Sequence, residues 1–400
     1  MRILTISNLY PRPDRPTLGV FNDQLFAGMA KLADVRNICL VPEWRTWRWQ
    51  SVRKWKAPRT STVPTRYLPV FYAPIVGRDL AADWYAKALA REAGELRDAG
   101  AVLAAWLYPD GVAATVAARE SGAPAWVLVQ GSDTFHLSTR ARRRVILDAA
   151  ESAAGFFCVC GMLAKRLVDA GVPSAKVHVT PNGVDASRFL PSTRDQSESV
   201  IARAVPGAFN GAARKRVLFV GNLERVKGPD LALTAFEGLL RGAGRTAAQM
   251  VFVGDGAMRK RLQADVFRRR LDDCVQFAGR RPHDEIRHWM NAADVLLLSS
   301  RGEGMPNVVL EALACGLPVA ATDVGACREM LAGEECARVV PAGDVPAMAA
   351  ALGDVLRMAC DRQALAARHR GRTWADMARE MVHAMAAGPG VRGCERGEYR

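Results

Sequence analysis

The stretch "DVLLLSSRGEGMPNVVLEALACG", residues 294–316, contains the repeating unit on which the fold is built. Its apolar run predicts a strand, and the glycines and proline of "RGEGMP" predict tight turns. The next segment, "VVLEALA", predicts the first turns of a helix that Asn307 caps and Gly316 ends. Two carboxylates lie in the stretch, Glu303 in the polar loop and Glu311 in the apolar helix, and their roles need an explanation.

The same alternation of strands and helices extends along the chain. Short β-rich runs such as "RILTIS", "RNICLV" and "AWVLVQ" alternate with Ala-rich amphipathic stretches, and the alternation restarts at "RVLFVGNL" and continues through "MVFVGDG" and "LPVAATD". This pattern is typical of parallel sheets that helices cover on both faces. We predict an α/β protein with two doubly wound domains that face each other across a cleft, with ligands beyond the carboxyl ends of the strands.

The length of the chain sets the number of domains. Four hundred residues suggest about two domains of ~200 residues each. We predict the first domain at residues 1–190, a linker rich in Ser, Pro, Gly and charge at 191–213, and the second domain at 214–372. A further helix at 373–388 follows, and we expect the tail at 389–400 to be disordered.

Composition is typical of a soluble globular protein, since 50% of the residues are hydrophobic and 24% are charged. No window reaches the ~18 consecutive apolar residues of a membrane-spanning helix, and the start "MRILTISNLYP" predicts a strand rather than a signal peptide. Nine cysteines at irregular spacings predict reduced, mostly buried thiols, and six histidines without an H-E-x-x-H spacing predict no metal site. We therefore expect the protein to reside in the cytoplasm.

The net charge of +14 predicts an anionic partner. Nucleic acid, an acidic lipid surface and phosphorylated small molecules all satisfy this charge, which alone does not choose among them. One anion site is predicted at the helix that begins near Asn307. The unpaired N–H groups and positive dipole end of this helix point beyond the carboxyl edge of the sheet.

The apolar setting of Glu311 allows two interpretations. Glu311 lies four residues after Asn307, so its carboxylate can reach the same mouth of the sheet and bind a ligand there. In the other interpretation Glu311 is a buried residue paired with an arginine, and Glu303 is a solvated loop charge. Spacing alone leaves both interpretations open.

A set of motifs resembles one enzyme family. E-x7-E at Glu303 and Glu311, followed by "ALACGLPVAATDVGA", is accompanied by "GNLERVKG" at 221–228, "PNGVDASRF" at 181–189, "VGDG" and "QGSD". Together these motifs resemble the retaining glycosyltransferases of family 4, which have the GT-B fold, and they follow the family's order along nearly the whole chain. The resemblance implies an N-terminal acceptor-binding domain, a C-terminal nucleotide-sugar-binding domain, and a closing helix that packs back on the first domain.

The resemblance also implies roles for individual residues. Lys227 matches the lysine that neutralises the donor diphosphate, Glu303 the glutamate that holds hydroxyls of the transferred sugar, and Glu311 the glutamate that accepts hydrogen bonds from the ribose. We expect Lys227 and Glu303 to be catalytic. The full set of implied donor-binding residues is Gly19, Asn222, Arg225, Lys227, Gly304, Met305, Pro306, Asn307 and Glu311.

The chain departs from the family pattern at several positions. Asn222 stands where members often have an arginine, and Arg225 is expected to supply that charge from another direction. Gln130 stands where many members have a histidine, so no general-base histidine is carried over. Asp133 keeps the family's position and is predicted either to shape the acceptor side, together with Gln130, or to cap a helix.

The implied chemistry needs neither a protein base nor a cofactor. The resemblance implies that the departing phosphate takes the acceptor's proton within a short-lived ion pair, so positioning of the donor matters most. The sequence has no D-x-D pair in a suitable loop, which agrees with metal-independent transfer. The nucleotide-diphosphate sugar is thus the expected substrate, and no metal or other cofactor is expected.

A Trp- and Arg-rich segment, "PEWRTWRWQSVRKWKAPR", lies at residues 42–59. Aromatic rings beside basic side chains suit the headgroup layer of an anionic membrane. We predict that this segment docks the enzyme on the inner face of the cell membrane, beside a lipid-linked acceptor; the alternative is a loop folded on its own domain. No nucleic-acid module accompanies the segment, so nucleic acid is not expected as a partner. The candidate contacts are Trp44, Trp47, Trp49, Arg53, Lys54 and Trp55.

Three functions remain open at this stage. The first is a retaining glycosyltransferase that moves a sugar from a nucleotide-diphosphate sugar to a lipid-linked glycan in surface polysaccharide or glycolipid biosynthesis. The second is a GT-B nucleotide-sugar epimerase, which the E-x7-E pair and "NGVD" disfavour. The third is a catalytically silent scaffold that binds a nucleotide sugar, an interpretation suggested by Asn222 and Gln130 and opposed by the presence of Lys227, Glu303 and Glu311.

Overall fold

The computed structural model describes residues 1–57, 63–73, 77–209 and 214–388, with the side chain of Trp47 outside the description. The predicted disordered tail at 389–400 lies outside the described residues. The chain divides into two compact units. The first unit comprises Met1–Gly183 with the described part of Trp374–Gly397, and the second comprises Val184–Thr373.

The first unit contains a seven-stranded sheet with the strand order β3-β2-β1-β4-β5-β6-β7. Its strands pair in parallel. The strands are β1 Arg2–Ser7, β2 Asp34–Pro42, β3 Thr65–Val70, β4 Ala101–Ala105, β5 Ala125–Val129, β6 Gly155–Cys158 and β7 Val177–Val179. Its helices before the chain crosses to the second unit are α1 Val20–Ala30, α2 Trp49–Arg53, α3 Ala81–Leu89, α4 Ala93–Arg97, α5 Val112–Ser121, α6 Arg140–Ser152 and α7 Gly161–Ala170.

The second unit contains a six-stranded parallel sheet with the order β10-β9-β8-β11-β12-β13. The strands are β8 Lys215–Val220, β9 Ala248–Val253, β10 Val275–Gly279, β11 Val295–Leu298, β12 Val319–Thr322 and β13 Ala337–Val340. The helices are α8 Arg194–Ala204, α9 Pro229–Ala243, α10 Arg259–Arg268, α11 Ile286–Ala292, α12 Asn307–Ala314, α13 Cys327–Met330, α14 Val345–Arg357 and α15 Arg362–His369. In each sheet, the strands are added first to one side of the unit's first strand, β1 or β8, and then to its other side. This order is that of a doubly wound sheet, so the predicted class of two doubly wound α/β units is confirmed.

The apolar runs of the sequence form the strands because a parallel sheet is buried on both faces. Every residue of β4, β5, β11 and β12 is buried. In the first unit Ile6, Leu40 and Val102 belong to one core beneath helices of the same unit. In the second unit Phe236 of α9 and Leu352 of α14 join Phe252 of β9 in a separate core. Each unit therefore has its own core, as a domain requires.

The last described helix, α16 at Trp374–Ala387, returns to the first unit. It packs against α1, and Met377, Ala378 and Met381 on its inner face are fully buried. This helix thus adds an apolar face to the first unit, although residues Val184–Thr373 of the second unit separate it in sequence from the rest of that unit. The resemblance implied such a packing.

The segment predicted as a linker, 191–213, contains a helix at residues 194–204 that its composition did not indicate. These residues form α8, which packs against α11 of the second unit and buries Ser197 and Ile201. The side chain of Thr193 caps the helix by accepting a hydrogen bond from the backbone N–H of Gln196. The polar composition hid the helix, because only two positions four residues apart face inward. Residues 210–213 lie outside the description.

The cysteines also differ from the prediction of reduced thiols. Cys336 and Cys360 form a disulfide with a Cα–Cα separation of 5.8 Å, joining the start of β13 to the residues before α15. Their separation of 24 residues gave no signal of this proximity, because a helix and its loops intervene. The other six cysteines within the described ranges are buried thiols outside any disulfide. None of the helices in these ranges is both long and apolar enough to cross a membrane.

Gly19 fixes how the first loop enters α1. Its φ of 62° is left-handed, and a Cβ atom placed there would lie 2.1 Å from the carbonyl oxygen of Leu9. No side chain fits this space, because the obstacle is backbone. The glycine therefore lets the loop after β1 fold back directly onto the start of the helix.

We expect Gly19→Ala to destabilise the protein by roughly 3 kcal/mol, combining left-handed strain with a backbone clash. Gly122→Ala is the matched control, since Gly122 also has positive φ, at 78°, but its added Cβ would meet nothing within 4 Å. The control should cost only about 1–2 kcal/mol. Urea unfolding of both variants measures the difference, and equal losses would contradict the close approach to Leu9.

Candidate functional site

The carboxyl edge of the second sheet brings Lys227 and Glu303 together across 76 residues of sequence. The Lys227 ammonium donates to both carboxylate oxygens of Glu303, at 2.7 Å to Oε1 and 2.8 Å to Oε2. The hydroxyl of Ser300 donates to the same Oε1 at 2.6 Å. Glu303 is enclosed, with 9% of its side chain exposed, while Lys227 is 33% exposed. The pair thus places one cation and one anion at the ends of the adjacent strands β8 and β11.

The loops that carry this pair are held together through their backbones. A single helical turn at Arg225–Lys227 follows β8 and ends at Gly228, whose φ is 62°. A Cβ atom on Gly228 would lie 2.0 Å from the carbonyl oxygen of Ser299, just after β11. The Ser299 hydroxyl donates to the carbonyl of Gly228 at 2.8 Å. The close packing of the two loops explains why α9 begins directly after a glycine, with Pro229 as its first residue.

Arg301 braces the same two loops from the surface, and sequence reasoning missed it. Its guanidinium donates to the carbonyl of Arg225 at 2.7 Å and to both carboxylate oxygens of Asp230. Burial opposes the charge of Asp230, but the hydrogen bonds from Arg301 lower the pKa of this carboxyl below its ordinary value.

Two of the predicted donor residues, Asn222 and Arg225, are exposed in the loop after β8.

The loop after Glu303 leads directly into α12. Gly304, Met305 and Pro306 lie between them, and the carbonyl of Gly304 accepts a hydrogen bond from Ala326 at 2.7 Å. The helix begins at Asn307, so the prediction that Asn307 is the cap is wrong. Pro306 holds the cap position instead, with φ −73° and ψ 105°, because its fixed ring suits the entry to a helix.

Glu311 has a histidine as its partner. Nε2 of His283 lies 2.6 Å from Oε1 of Glu311, and the Phe189 ring packs on the imidazole at a centroid distance of 5.2 Å. Burial disfavours the charged imidazole, but the hydrogen bond and charge of Glu311 outweigh it and raise the pKa of His283. The alternative interpretation, in which Glu311 pairs with an arginine, is thus wrong, because the partner is a histidine. Sequence reasoning missed His283 because it follows β10, whereas Glu311 lies on the helix that follows β11. These two strands are three positions apart in the sheet.

In the first unit, the side chain of Asp133 is buried and holds two loops together through hydrogen bonds to their backbones. Its Oδ2 accepts the backbone N–H groups of Leu107 at 3.0 Å and Gln130 at 3.2 Å, and its Oδ1 accepts that of Gly131 at 2.7 Å. Burial raises the pKa of Asp133, while these backbone hydrogen bonds oppose the rise. Both oxygens thus hold the loops after β4 and β5, and Asp133 does not act as the predicted helix cap, because it lies inside the turns at Ser132–Ser138, whose cap position has no side-chain hydrogen bond.

A hydrogen-bond network at the carboxyl edge of the first sheet connects the remaining loops. The amide of Gln130 donates to Asn22 Oδ1 at 2.8 Å, and Asn22 donates to the carbonyl of Leu9 at 2.8 Å. Asp110, fully buried and missed from sequence, accepts the backbone N–H of Asn8 at 2.7 Å. Burial raises the pKa of Asp110 to about 8. The loops after β1, β4 and β5 therefore form one hydrogen-bonded edge.

Part of the Trp- and Arg-rich segment folds on its own unit. The buried carboxylate of Glu43 accepts from Arg45 at 2.8 Å and from Arg48 at 3.1 Å. The indole N–H of Trp49 donates to the backbone carbonyl of Glu43 at 3.3 Å. Trp55 packs edge-on against Tyr67, with ring centroids 5.8 Å apart. Two of the predicted membrane contacts, Trp49 and Trp55, thus have contacts within the unit, as the alternative interpretation expected.

The rest of that segment points outward. Trp44 is 61% exposed, and Arg53 and Lys54, nine and ten residues further along the chain, are also exposed. The side chain of Trp47 lies outside the described residues.

Within the described ranges, no three His, Cys, Asp or Glu side chains lie close enough together to hold a metal ion.

Two family models match successive parts of the chain. Residues 47–188 match the model for Glycosyltransferase Family 4, and residues 214–358 match the model for Glycosyl transferases group 1. The chain therefore belongs to the group 1 glycosyltransferases of family 4. The recognition made from the motifs is confirmed.

Curated relatives match the chain over different lengths. The 2-deoxystreptamine N-acetyl-D-glucosaminyltransferase of Streptomyces fradiae is 34% identical over 46% of this chain and 42% of its own. The D-inositol 3-phosphate glycosyltransferase of Jonesia denitrificans is 33% identical over 42% of this chain and 40% of its own. The chain thus matches less than half the length of either relative. The putative teichuronic acid biosynthesis glycosyltransferase TuaC of Bacillus subtilis is 29% identical over 81% of this chain and 82% of its own.

Solved structures match the whole fold at low sequence identity. Anabaena Alr3699/HepE in complex with UDP has a TM-score of 0.73 at 18% identity, covering 97% of this chain and 100% of its own. Sucrose-phosphate synthase of Thermosynechococcus elongatus has a TM-score of 0.72 at 20% identity, covering 96% of this chain and 94% of its own. The predicted GT-B fold is confirmed by these likenesses.

The enclosed ion pair gives a testable stability difference. We expect Lys227→Met to cost roughly 1–3 kcal/mol, because it leaves the Glu303 charge enclosed without its cation. Lys165→Met is the matched control, since Lys165 makes an equally short pair with Asp169 but is 75% exposed. That exposed pair should contribute no more than about 1 kcal/mol.

A double-mutant cycle with Glu303→Gln isolates the coupling between the two side chains. Urea unfolding of the two single variants and of the double variant should give a favourable coupling of about 1 kcal/mol or more. A cost for Lys227→Met no larger than that for Lys165→Met would show that the pair contributes little to stability.

Proposed function

We propose that this protein is a retaining, metal-independent glycosyltransferase. It moves a sugar from a nucleotide-diphosphate sugar to a lipid-linked glycan acceptor in the biosynthesis of a surface polysaccharide or glycolipid. The observation that carries the proposal is the Lys227–Glu303 pair at the carboxyl edge of the second sheet, directly before the amino end of α12. This arrangement offers a cation for phosphate and an acceptor-only group for sugar hydroxyls.

Lys227 and α12 provide the positive charge that a leaving diphosphate needs. Two N–H groups of the ammonium are directed to Glu303, and the third remains for a phosphate oxygen. The amino end of α12 adds the positive end of a helix dipole. Charge that develops on the phosphate as the glycosidic bond breaks is stabilised by these fixed groups, and we propose that they serve in place of a divalent cation.

Glu303 is suited to hold the transferred sugar. An ionised carboxylate only accepts hydrogen bonds and offers about four acceptor positions on its two oxygens. Lys227 and Ser300 take three of these positions in the unliganded protein. When a donor binds, Lys227 is expected to share its hydrogen bonds with the diphosphate, which frees Glu303 to accept from sugar hydroxyls.

The reaction is balanced without a protein base. The bond between the anomeric carbon and the diphosphate oxygen breaks, and its electron pair stays on that oxygen. The acceptor hydroxyl oxygen then bonds to the anomeric carbon on the same face, and its proton passes to the departing phosphate. This route is supported by the buried state of Asp133, whose two oxygens already accept three backbone N–H groups.

The relatives support the substrate classes. Anabaena Alr3699/HepE was solved with UDP and with UDP-glucose, which supports a nucleotide-diphosphate-sugar donor here. TuaC is named for teichuronic acid biosynthesis, which supports a surface polymer as the product. Two competing functions remain distinguishable by experiment, namely a silent nucleotide-sugar scaffold and an epimerase.

The donor is identified by thermal stabilisation and isothermal titration with a panel of UDP-, GDP-, ADP- and TDP-sugars. A donor at 100 times its Kd should stabilise the native state by about 2.7 kcal/mol. We expect Lys227→Ala and Glu303→Ala each to lower kcat/KM for transfer by roughly 100-fold, because each removes a charged contact to the reacting donor. Lys165→Ala, on an exposed helix face, is the control and should leave transfer unchanged.

The outcomes separate the three functions. Transfer with the donor's anomeric configuration kept in the product, read by NMR, supports the proposal. Binding without turnover on any acceptor indicates the scaffold, and conversion of the sugar without an acceptor indicates the epimerase. Unchanged transfer by both alanine variants would remove Lys227 and Glu303 from the mechanism.

The outward part of the Trp- and Arg-rich segment is proposed to contact the anionic inner face of the cell membrane. Trp44, Arg53 and Lys54 present an aromatic ring and two cations, the chemistry that the headgroup layer of such a membrane attracts. Each cation near the surface contributes about 1 kcal/mol. A surface of this kind brings the enzyme to lipid-linked acceptors.

We expect the combined change of Trp44, Arg53 and Lys54 to serine to weaken binding to vesicles of anionic phospholipid by about 30-fold or more, from the loss of two cations at about 1 kcal/mol each. The control replaces Lys87 and Arg91, two exposed cations of the same unit, with serine. Vesicle cosedimentation at several salt concentrations measures both variants. Equal binding by the two variants would assign the attraction to net charge and remove the segment's role.

A further inference from the structure

The contact between His283 and Glu311 is short and largely enclosed. Nε2 of His283 lies 2.6 Å from Oε1 of Glu311, and the exposed fractions of the two side chains are 26% and 13%. Nδ1 of His283 is buried and has no hydrogen-bond partner among the described residues. The imidazole is thus held at one end by the carboxylate and at the other by packing alone.

The charged groups around His283 come from two other parts of the second unit. Glu311 on α12 makes the direct hydrogen bond, while Asp185 and Arg188 lie in the segment that precedes α8. These two form an ion pair with each other at 3.5 Å, so their effects on the imidazole oppose one another. The ring of Phe189 covers one face. Glu311 therefore determines the charge state of His283.

A protonated imidazole gives Glu311 a fixed geometry. As a donor at Oε1 it restricts the rotation of the carboxylate, which leaves Oε2 and the second lone pair of Oε1 as acceptors. Two hydroxyl donors on neighbouring carbons match such a pair of acceptors. A carboxylate without this tether would lose orientation, and its binding to a diol would weaken.

We propose that His283 is a positioning residue for the donor nucleotide, fixing the Glu311 carboxylate so that it accepts both hydroxyl groups of the ribose. The inference rests on the proposed function, since a ribose is present for Glu311 to bind only if the donor is a nucleotide sugar. It adds that recognition of the ribose 2′-hydroxyl and the pH dependence of donor binding both depend on a histidine from another strand's loop.

The direction of the pH effect follows from the shifted pKa. Burial disfavours the imidazolium, but the hydrogen bond and charge of Glu311 raise the pKa of His283 above its ordinary value. The charged pair is thus complete below the ordinary histidine pKa and is lost as pH rises through the raised value. We expect the KM for the donor to rise with pH across this window, while kcat changes little.

The test compares wild type with His283→Gln and His283→Ala. Glutamine keeps a neutral N–H donor and should retain much of the affinity but lose the pH dependence of KM. Alanine removes the tether and should raise KM by about tenfold, the loss expected for one charge-assisted hydrogen bond, with kcat nearly unchanged. His288→Gln is the control, since His288 lies on the following helix α11 and its Nε2 accepts a hydrogen bond from Arg287 instead.

A binding readout separates positioning from a purely structural role. Titration calorimetry with UDP and 2′-deoxy-UDP, and with the corresponding guanosine and adenosine diphosphates, measures discrimination for the 2′-hydroxyl. Wild type and His288→Gln should prefer the ribose form, and His283→Ala should lose most of that preference. Unfolding midpoints of the variants identify any loss that comes from misfolding, and His283→Gln supplies the answer if the alanine variant is unstable.

Two results would overturn the inference in different ways. If wild type binds a ribonucleotide but His283→Ala and His283→Gln keep its preference and its pH dependence, the positioning role fails while the proposed function stands. If wild type binds none of these nucleotides or their sugars, the proposed function fails and the inference fails with it.

Discussion

The ion pair between Lys227 and Glu303 is the contact on which the candidate donor site depends. It connects the loops after β8 and β11, which are adjacent in a parallel sheet and far apart in sequence. Ser300 and Arg301 support the same loops through a hydrogen bond to the carboxylate and bonds to the opposite loop. The two charges of the proposed chemistry are thus in place before any ligand arrives, which reduces the reorganisation that catalysis requires.

Sequence patterns predicted much of this arrangement for a physical reason. Strands of a parallel sheet are buried on both faces, so runs such as β11 read as continuous apolar segments and are easily found. Motifs that follow such strands lie at the carboxyl edge, which agrees with the single donor site that the resemblance implied for Lys227 and Glu303. The resemblance assigned their roles, and the two parallel sheets and the GT-B likeness confirmed the fold.

The rest depended on contacts that sequence order does not encode. His283 reaches Glu311 from a strand three positions away in the sheet, and Cys336 bonds to Cys360 across an intervening helix. α8 escaped notice because a polar segment with two inward positions has almost no periodic signal. Asp110 lies in a loop whose burial comes only from its neighbours, so its charge could not be judged from the chain.

The backbone contact between Gly228 and Ser299 has a consequence for how such proteins diversify. With no room for a side chain between the two loops, each loop is shaped to fit the other. A chimera that takes one loop from a relative and keeps the other would join surfaces that were never matched. Recombination that alters sugar preference is therefore expected to succeed when both loops are inherited together, as a single exchangeable block spanning β8 to β11.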